Sequence, residues 1–190
     1  MPAWKMEPVI AHPPMEQWNM LQLPWWSNVE RLDGVNMPNL YELYCDGNPL
    51  TTLPWNDLRN VYYLGIYYCA FVVLELWRLP NLYGCWAADN YNLVEVDAHG
   101  NTSLSDLDVY WCQSLAWIDL LGCTNFRYLY AYGCALPQEA VDQVLADLVA
   151  NGTTNGYLQL NGPNNAPPSD PGGIALKNIL ISRGWSVYTN

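Results

Sequence analysis

Between residues 18 and 136 the chain repeats one short pattern, apolar-x-x-apolar-x-apolar, every ten or eleven residues. Eleven units with three slots each fit this pattern, and Gly34 alone of the thirty-three slot residues is not apolar. A fixed short period of this kind predicts a solenoid, in which each unit buries its apolar side against its neighbours. The units begin at Trp18, Val29, Leu40, Leu50, Val61, Phe71, Leu82, Leu93, Leu104, Leu115 and Phe126.

Alternate units differ, so the true repeat is a coil of 21 or 22 residues with a front half and a back half. The ninth place of the front halves holds Trp26, Asn48, Cys69, Asn90, Cys112 and Cys134. The resulting pattern, LxxLxLxxN/C, resembles the leucine-rich repeat family, and its clearest copy runs from Leu40 through Asn48 to Leu53.

This resemblance covers residues 18–136 and looks like the short bacterial or phage type. It implies an α/β solenoid: a right-handed coil whose front halves form a curved parallel β-sheet on the concave face. It also implies a buried Asn/Cys ladder that satisfies backbone groups in the turns. Trp26 at the ladder and Cys85 and Ala87 in core slots depart from the usual residues.

The ends of a solenoid expose its core and need capping. After Leu136 the apolar period becomes helical, and a second helical segment follows the Asn- and Pro-rich loop at 161–171. We therefore predict three parts: an N-terminal cap or extension at 1–17, a repeat array of about six coils at 18–136, and a C-terminal cap at 137–190 with helix-strand-helix-strand order.

The six cysteines all occupy ladder or core places, so repeat position explains them as buried thiols without metal or disulfide chemistry. The spacing offers no metal-ligand cluster, and the two histidines, His12 and His99, stand far apart with no catalytic motif near them. We expect no catalytic residues, no metal site, no cofactor and no enzymatic activity. Free thiols further predict folding in a reducing cytoplasm, with later display on a virion or cell surface left open.

Aromatic residues mark one face. Positions two, three, five, seven and eight of each unit are expected to face solvent, and in the front halves fourteen of these thirty positions are Tyr or Trp. The back halves carry only Trp77 and Trp117 at such positions. The predicted ligand-binding residues are Tyr41, Glu42, Tyr44, Tyr62, Tyr63, Tyr67, Tyr68, Tyr83, Trp86, Asp106, Asp108, Tyr110, Trp111, Tyr128, Tyr130 and Tyr132.

Rigid aromatic side chains with polar tips offer contact area at low entropic cost, as in antibody paratopes. The acidic residues interleaved among them are Glu42, Asp46, Asp89, Asp106 and Asp108. The sequence predicts a non-enzymatic recognition module for a protein, peptide or surface ligand, whose front face is hypervariable if its codons are diversified. The alternatives are a carbohydrate-binding adhesin or phage receptor-binding module that takes a glycan, and self-association through the aromatic face.

A net charge of -11 disfavours nucleic acid as a partner. No stretch is long and apolar enough for membrane insertion, and we expect a monomer. Six strands at ~4.8 Å spacing and five residues each would give a face on the order of 400 Å².

Overall fold

The computed structural model describes residues 19–32 and 38–190. The predicted N-terminal cap at 1–17, the start of the first unit at Trp18 and the weak slot at Gly34 lie outside the described residues.

Short strands and two helices make up the described chain. The strands are β1 (Met20–Gln22), β2 (Glu42–Tyr44), β3 (Tyr63–Gly65), β4 (Val73–Glu75), β5 (Gly84–Trp86), β6 (Glu95–Asp97), β7 (Asp106–Asp108), β8 (Trp117–Asp119), β9 (Tyr128–Tyr130), β10 (Tyr157–Gln159) and β11 (Ser186–Tyr188). The helices are α1 (Gln138–Ala150), between β9 and β10, and α2 (Gly172–Ser182), between β10 and β11. Two 3-10 turns lie at Trp55–Asp57 and Leu76–Arg78.

The strands form two parallel sheets, one from each half of the coil. The front sheet has the order β1-β2-β3-β5-β7-β9-β10-β11, and the back sheet has the order β4-β6-β8. Because front halves recur every 21 or 22 residues, their central apolar residues align, so that Leu43 pairs with Leu64 and Cys85 with Leu107. The predicted parallel solenoid is therefore present.

The unit that begins at Leu50 has no back strand. Its fifth place is Pro54, which has no N–H group to donate to a neighbouring strand, and the chain turns into the 3-10 helix at Trp55–Asp57 instead.

The ladder is built as expected from Asn and Cys at the ninth place. The amide of Asn90 donates to the carbonyls of Ile66 and Ala87, both at 2.8 Å. The thiol of Cys112 donates to the Ala87 carbonyl at 3.2 Å, and that of Cys134 donates to the Val109 carbonyl at 3.1 Å. All six cysteines are buried and free, which agrees with their assignment to core and ladder places.

One predicted ladder residue lies elsewhere. Trp26 is 69% exposed and has a φ of 58°, and the first ladder bond of the described residues is made by Asn48, whose amide donates to the Pro24 carbonyl. At the other end Asn165 extends the ladder by donating to the carbonyls of Ala131 and Leu160.

Beyond Leu136 the order of elements is helix-strand-helix-strand, and both strands join the front sheet, β10 beside β9 and β11 beside β10. Helix α1 buries Val144, Leu145 and Leu148, as its period predicts. Helix α2 buries Leu180, but Ile174 and Ile179 stay exposed because α2 packs on α1 and no described element covers its outer side. Neither described helix has the length and apolar character needed to cross a bilayer.

The expectation that positions two, three, five, seven and eight of the front halves face solvent is wrong at seven residues, four of which are glycines. The buried residues at these positions are Asp46, Gly47, Gly65, Gly84, Ala88, Ser105 and Gly133. Asp46 folds under the following coil, where its carboxylate accepts the Tyr67 N–H at 2.8 Å. Asp46 therefore does not contribute to the acidic character of the surface.

Candidate ligand-binding face

The outward side of the front sheet, together with the turns that follow its strands, is called the front face below. All sixteen predicted ligand-binding residues lie on it, in β2, β3, β5, β7 and β9, immediately before those strands, or in their turns. None of the sixteen is fully buried. The structure thus brings the predicted residues together on one surface, and ligand binding by them remains a prediction.

The centre of the front face is a packed aromatic layer. Tyr63 and Trp86 stack with ring centroids 5.4 Å apart, and Tyr44 lies nearly parallel to Trp86 at 6.5 Å. Two strand glycines make this possible. A Cβ at Gly65 would lie 2.5 Å from the ring of Tyr44, and one at Gly84 would lie 3.3 Å from the ring of Tyr63. The rings therefore lie flat on the sheet and are held before any ligand arrives.

A second aromatic cluster follows the later strands. Tyr110 stacks on Tyr132 at 5.2 Å, and Trp111 meets Tyr132 edge to face at 5.7 Å. Trp111 also lies across Gly133, where a Cβ would approach its ring to 3.0 Å. The turns thus widen the face beyond the three-residue strands.

Two aromatic residues of the front face were not predicted. Tyr157 and Tyr188 extend it across β10 and β11, in ring contact with Tyr130 and with each other at 5.3 Å. Tyr157 pairs in register with Tyr128. The alternation of outward residues around Leu158 and Val187 is the sequence signal that could have placed them on this sheet.

The carboxylates of β7 lie within this aromatic surface. Burial raises the pKa of both Asp106 and Asp108 above the ordinary range. Asp108 accepts hydrogen bonds from the Tyr67 hydroxyl at 3.1 Å and from the Tyr110 N–H at 3.0 Å. Among the described residues, the Oδ2 atom of Asp106 has no hydrogen-bond partner.

Tyr44 and Glu42 form a further polar pair, since the Tyr44 hydroxyl donates to Glu42 at 3.1 Å. Burial, followed by this bond to Glu42, raises the pKa of Tyr44 to about 12. A phenol with this pKa stays protonated at neutral pH and acts as a hydrogen-bond donor.

Three side chains of types that can bind a metal ion lie close together on the back half, and this cluster was not predicted from the sequence. Donor atoms of Asp97, His99 and Asp119 lie within 4.8 Å of one another, because Asp97 and Asp119 pair in register on β6 and β8. His99 already bonds Asp97 through Nδ1 at 2.6 Å, and this bond raises the pKa of His99. The spacing of 22 residues between the two aspartates was the available signal.

Neither a protein-family model nor a curated protein matches the chain. Among solved structures, the functional domain of InlJ from Listeria monocytogenes, described as including a cysteine ladder, matches 71% of this chain at 19% identity with a TM-score of 0.53. An internalin, inlF, from L. monocytogenes matches 91% of the chain at 16% identity with a TM-score of 0.41.

The chain spans 33% of the length of the first of these proteins and 63% of the second. The likeness to the InlJ domain concerns the fold. Together with the parallel coils and the Asn/Cys ladder described above, it shows that this chain has the leucine-rich repeat fold.

Proposed function

We propose that this chain is a non-enzymatic recognition module that binds a protein ligand on its front face. The observation that carries the proposal is the distribution of outward aromatic side chains, which are concentrated on one sheet and held there by stacking and by strand glycines. A solenoid needs its inward slots filled to fold, but it does not need tyrosine at its outward positions.

Two features of the face support recognition. Aromatic residues held in one conformation lose little entropy on binding, which favours affinity. Tyr68 and Trp111 occupy turns with positive φ values of 50° and 57°, where a bulky residue is strained. Strain retained at an exposed aromatic residue points to a role beyond folding.

The area of the front face suits a protein ligand better than the area expected from six strands. Eight strands at ~4.8 Å spacing give a width of about 34 Å. With about 20 Å from the second to the eighth position, the area is on the order of 700 Å², close to the ~800 Å² that each partner contributes to a typical specific interface.

The test uses a phage library of random cyclic peptides, selected on the whole chain. Binders are then measured against a double variant, Tyr128→Ser with Tyr130→Ser, whose two side chains are 40% and 38% exposed. Trp117→Ser on the back sheet is the matched control, since Trp117 is 37% exposed. We expect most selected peptides to lose affinity by roughly tenfold or more on the double variant only, because hot spots are built from such aromatics.

Peptides that lose affinity as often on Trp117→Ser as on the double variant would refute a dedicated front face. Free monosaccharides that displace the selected peptides would point to the carbohydrate alternative instead. Both interpretations require that the double variant be as stable as the wild type, with the same unfolding midpoint. We expect this because both tyrosines are exposed.

A further inference from the structure

The second positions of five consecutive front units form one row across the front face, named the tyrosine row here: Tyr41, Tyr62, Tyr83, Ser105 and Arg127. Backbone hydrogen bonds hold it in register. The N–H of Tyr62 donates to the Tyr41 carbonyl and that of Tyr83 to the Tyr62 carbonyl, each at 2.8 Å. Likewise, the N–H of Ser105 donates to the Tyr83 carbonyl and that of Arg127 donates to the Ser105 carbonyl, each at 2.9 Å.

The first three rings of the row are stacked. Tyr41 and Tyr62 have centroids 4.8 Å apart with planes within 8°, and Tyr62 and Tyr83 have centroids 5.0 Å apart with planes within 5°. These distances follow from the ~4.8 Å spacing of neighbouring strands. The stack ends at Tyr83, because the next strand carries Ser105 and so has no ring to add.

An open groove of about 430 Å³ lies where the stack is interrupted. Its lining is Tyr62, Tyr83, Ser103, Ser105, Asn125 and Arg127. The Arg127 guanidinium donates to its neighbour's carbonyl, that of Phe126, at 2.8 Å, which restrains it at the far end of the groove.

The spacing of the row sets what fits in this groove. Tyr83 and Arg127 are two strand steps apart, about 9.6 Å. A flat ring placed midway would lie about 4.8 Å from each, within the 4.5–7 Å range for ring stacking and the ~6 Å limit for a cation–π contact. The groove, at about 430 Å³, therefore has room for at least one aromatic ring.

We propose that the groove is a subsite for one aromatic side chain of the ligand, a tyrosine or tryptophan, inserted between Tyr83 and Arg127. The polar side chains of Ser103, Ser105 and Asn125 at its margin favour a ring with a hydroxyl or N–H group over phenylalanine. This inference rests on the proposed function, since the groove opens on the same face, and it names the chemistry that the ligand presents there.

The probes are N-acetyltyrosinamide and N-acetyltryptophanamide, with N-acetylleucinamide as the apolar but non-planar control. Binding is followed by NMR through the backbone N–H of Ser105 and the Nε–H of Arg127. We expect saturable shifts at both groups with the two aromatic probes and none with the leucine compound.

Ser105→Tyr is the decisive variant, because its ring would continue the stack and fill the groove. We expect it to bind the aromatic probes at least about tenfold more weakly, since the stacking partner and space are occupied. Ser114→Tyr, at an exposed serine that precedes a back half, is the matched control and should bind like the wild type. Arg127→Gln, which leaves the space open but removes the cation, should weaken binding by a smaller factor.

Undiminished probe binding by a folded Ser105→Tyr variant would overturn the subsite. So would shifts at Arg127 that appear with sodium acetate or methyl glucoside but not with the aromatic probes, because these indicate an anion or sugar site. If the aromatic probes do not bind while the selected peptides still depend on Tyr128 and Tyr130, the proposed subsite is wrong but the proposed function is not contradicted.

Discussion

The eighth position of the front units is a turn with positive φ, and its occupants differ in how well they suit it. Gly47 and Gly133 adopt φ values of 68° and 70° without strain, whereas Tyr68 and Trp111 adopt similar values with bulky side chains. The eighth position has a positive φ in all five front units from Leu40 onward. The aromatic residues are therefore not required by the turn itself.

Replacing Tyr68 by glycine should leave the free energy of unfolding almost unchanged. Relief of the positive φ offsets the lost ring contacts and the greater freedom of glycine in the unfolded chain. The adjacent Tyr67 provides the matched comparison, because it is half-buried and bonds Asp108. Tyr67→Gly should cost roughly 3 kcal/mol or more, within the range of large-to-small substitutions. Denaturant unfolding of both variants measures the difference, and equal losses would contradict the strain at Tyr68.

At the scale of the element, the ladder decides whether one coil stacks on the next. Asn and Cys both occupy the ninth position, but they differ in how many hydrogen bonds they donate and in how strong these bonds are. The Asn90 amide satisfies two buried carbonyls, whereas the Cys112 thiol satisfies one and is a weaker donor. The ladder is thus uneven along the solenoid, and its strength varies with the residue at the ninth place.

Asn90→Ala should therefore destabilise the protein more than Cys112→Ala. Asn90→Ala leaves the buried Ile66 carbonyl without its side-chain donor and the Ala87 carbonyl with only the Cys112 thiol, which together cost roughly 2–3 kcal/mol. Cys112→Ala leaves the Ala87 carbonyl bonded to Asn90, so the lost thiol bond and a small cavity cost about 1–2 kcal/mol. The two residues are ladder neighbours in consecutive coils and are both buried, so they form a matched pair. Unfolding midpoints in urea would show the order, and a costlier Cys112→Ala would contradict it.

For the whole molecule, the titrating groups with resolved shifts respond to pH in the same direction. Burial raises the pKa of the carboxyls of Asp46, Asp106, Asp108 and Asp147. The bond to Asp97 raises the pKa of His99. The net charge of -11 adds self-repulsion, which weakens as carboxylates are protonated.

We expect the protein to become more stable as the pH falls from 7.5 to about 5. A group whose pKa is higher in the folded state binds its proton more tightly there, so its contribution is complete below the unfolded pKa and is lost as the pH rises through the folded value. The unfolded values are ~3.9 for Asp and ~6.5 for His. Thermal unfolding at constant ionic strength would show a higher Tm at pH 5 than at pH 7.5.

Asp106→Asn is the control for this pH dependence, because it removes one buried carboxyl while keeping its shape. The variant should lose part of the slope of Tm against pH and should gain stability at pH values above the folded pKa of Asp106. A wild-type Tm that peaks near pH 8 would contradict the prediction.

The sequence by itself determined the coil, its two halves, the apolar slots, the ladder from Asn48 onward and the front-face position of the aromatic residues in the repeats. These depend on a fixed period of 21 or 22 residues, and a periodic pattern decides on its own which way each side chain points. The burial of Leu43, Leu64 and Leu107 and the exposure of Tyr128 and Tyr130 follow from it.

Only the tertiary structure decided which side chains from different coils touch. That depends on the register of strands far apart in sequence and on the size of each neighbour across the sheet. The ring of Tyr44 lies over Gly65, Asp46 is covered by the next coil, and β10 and β11 continue the front sheet. The same register leaves an open groove at the end of the tyrosine stack, lined by residues from four coils.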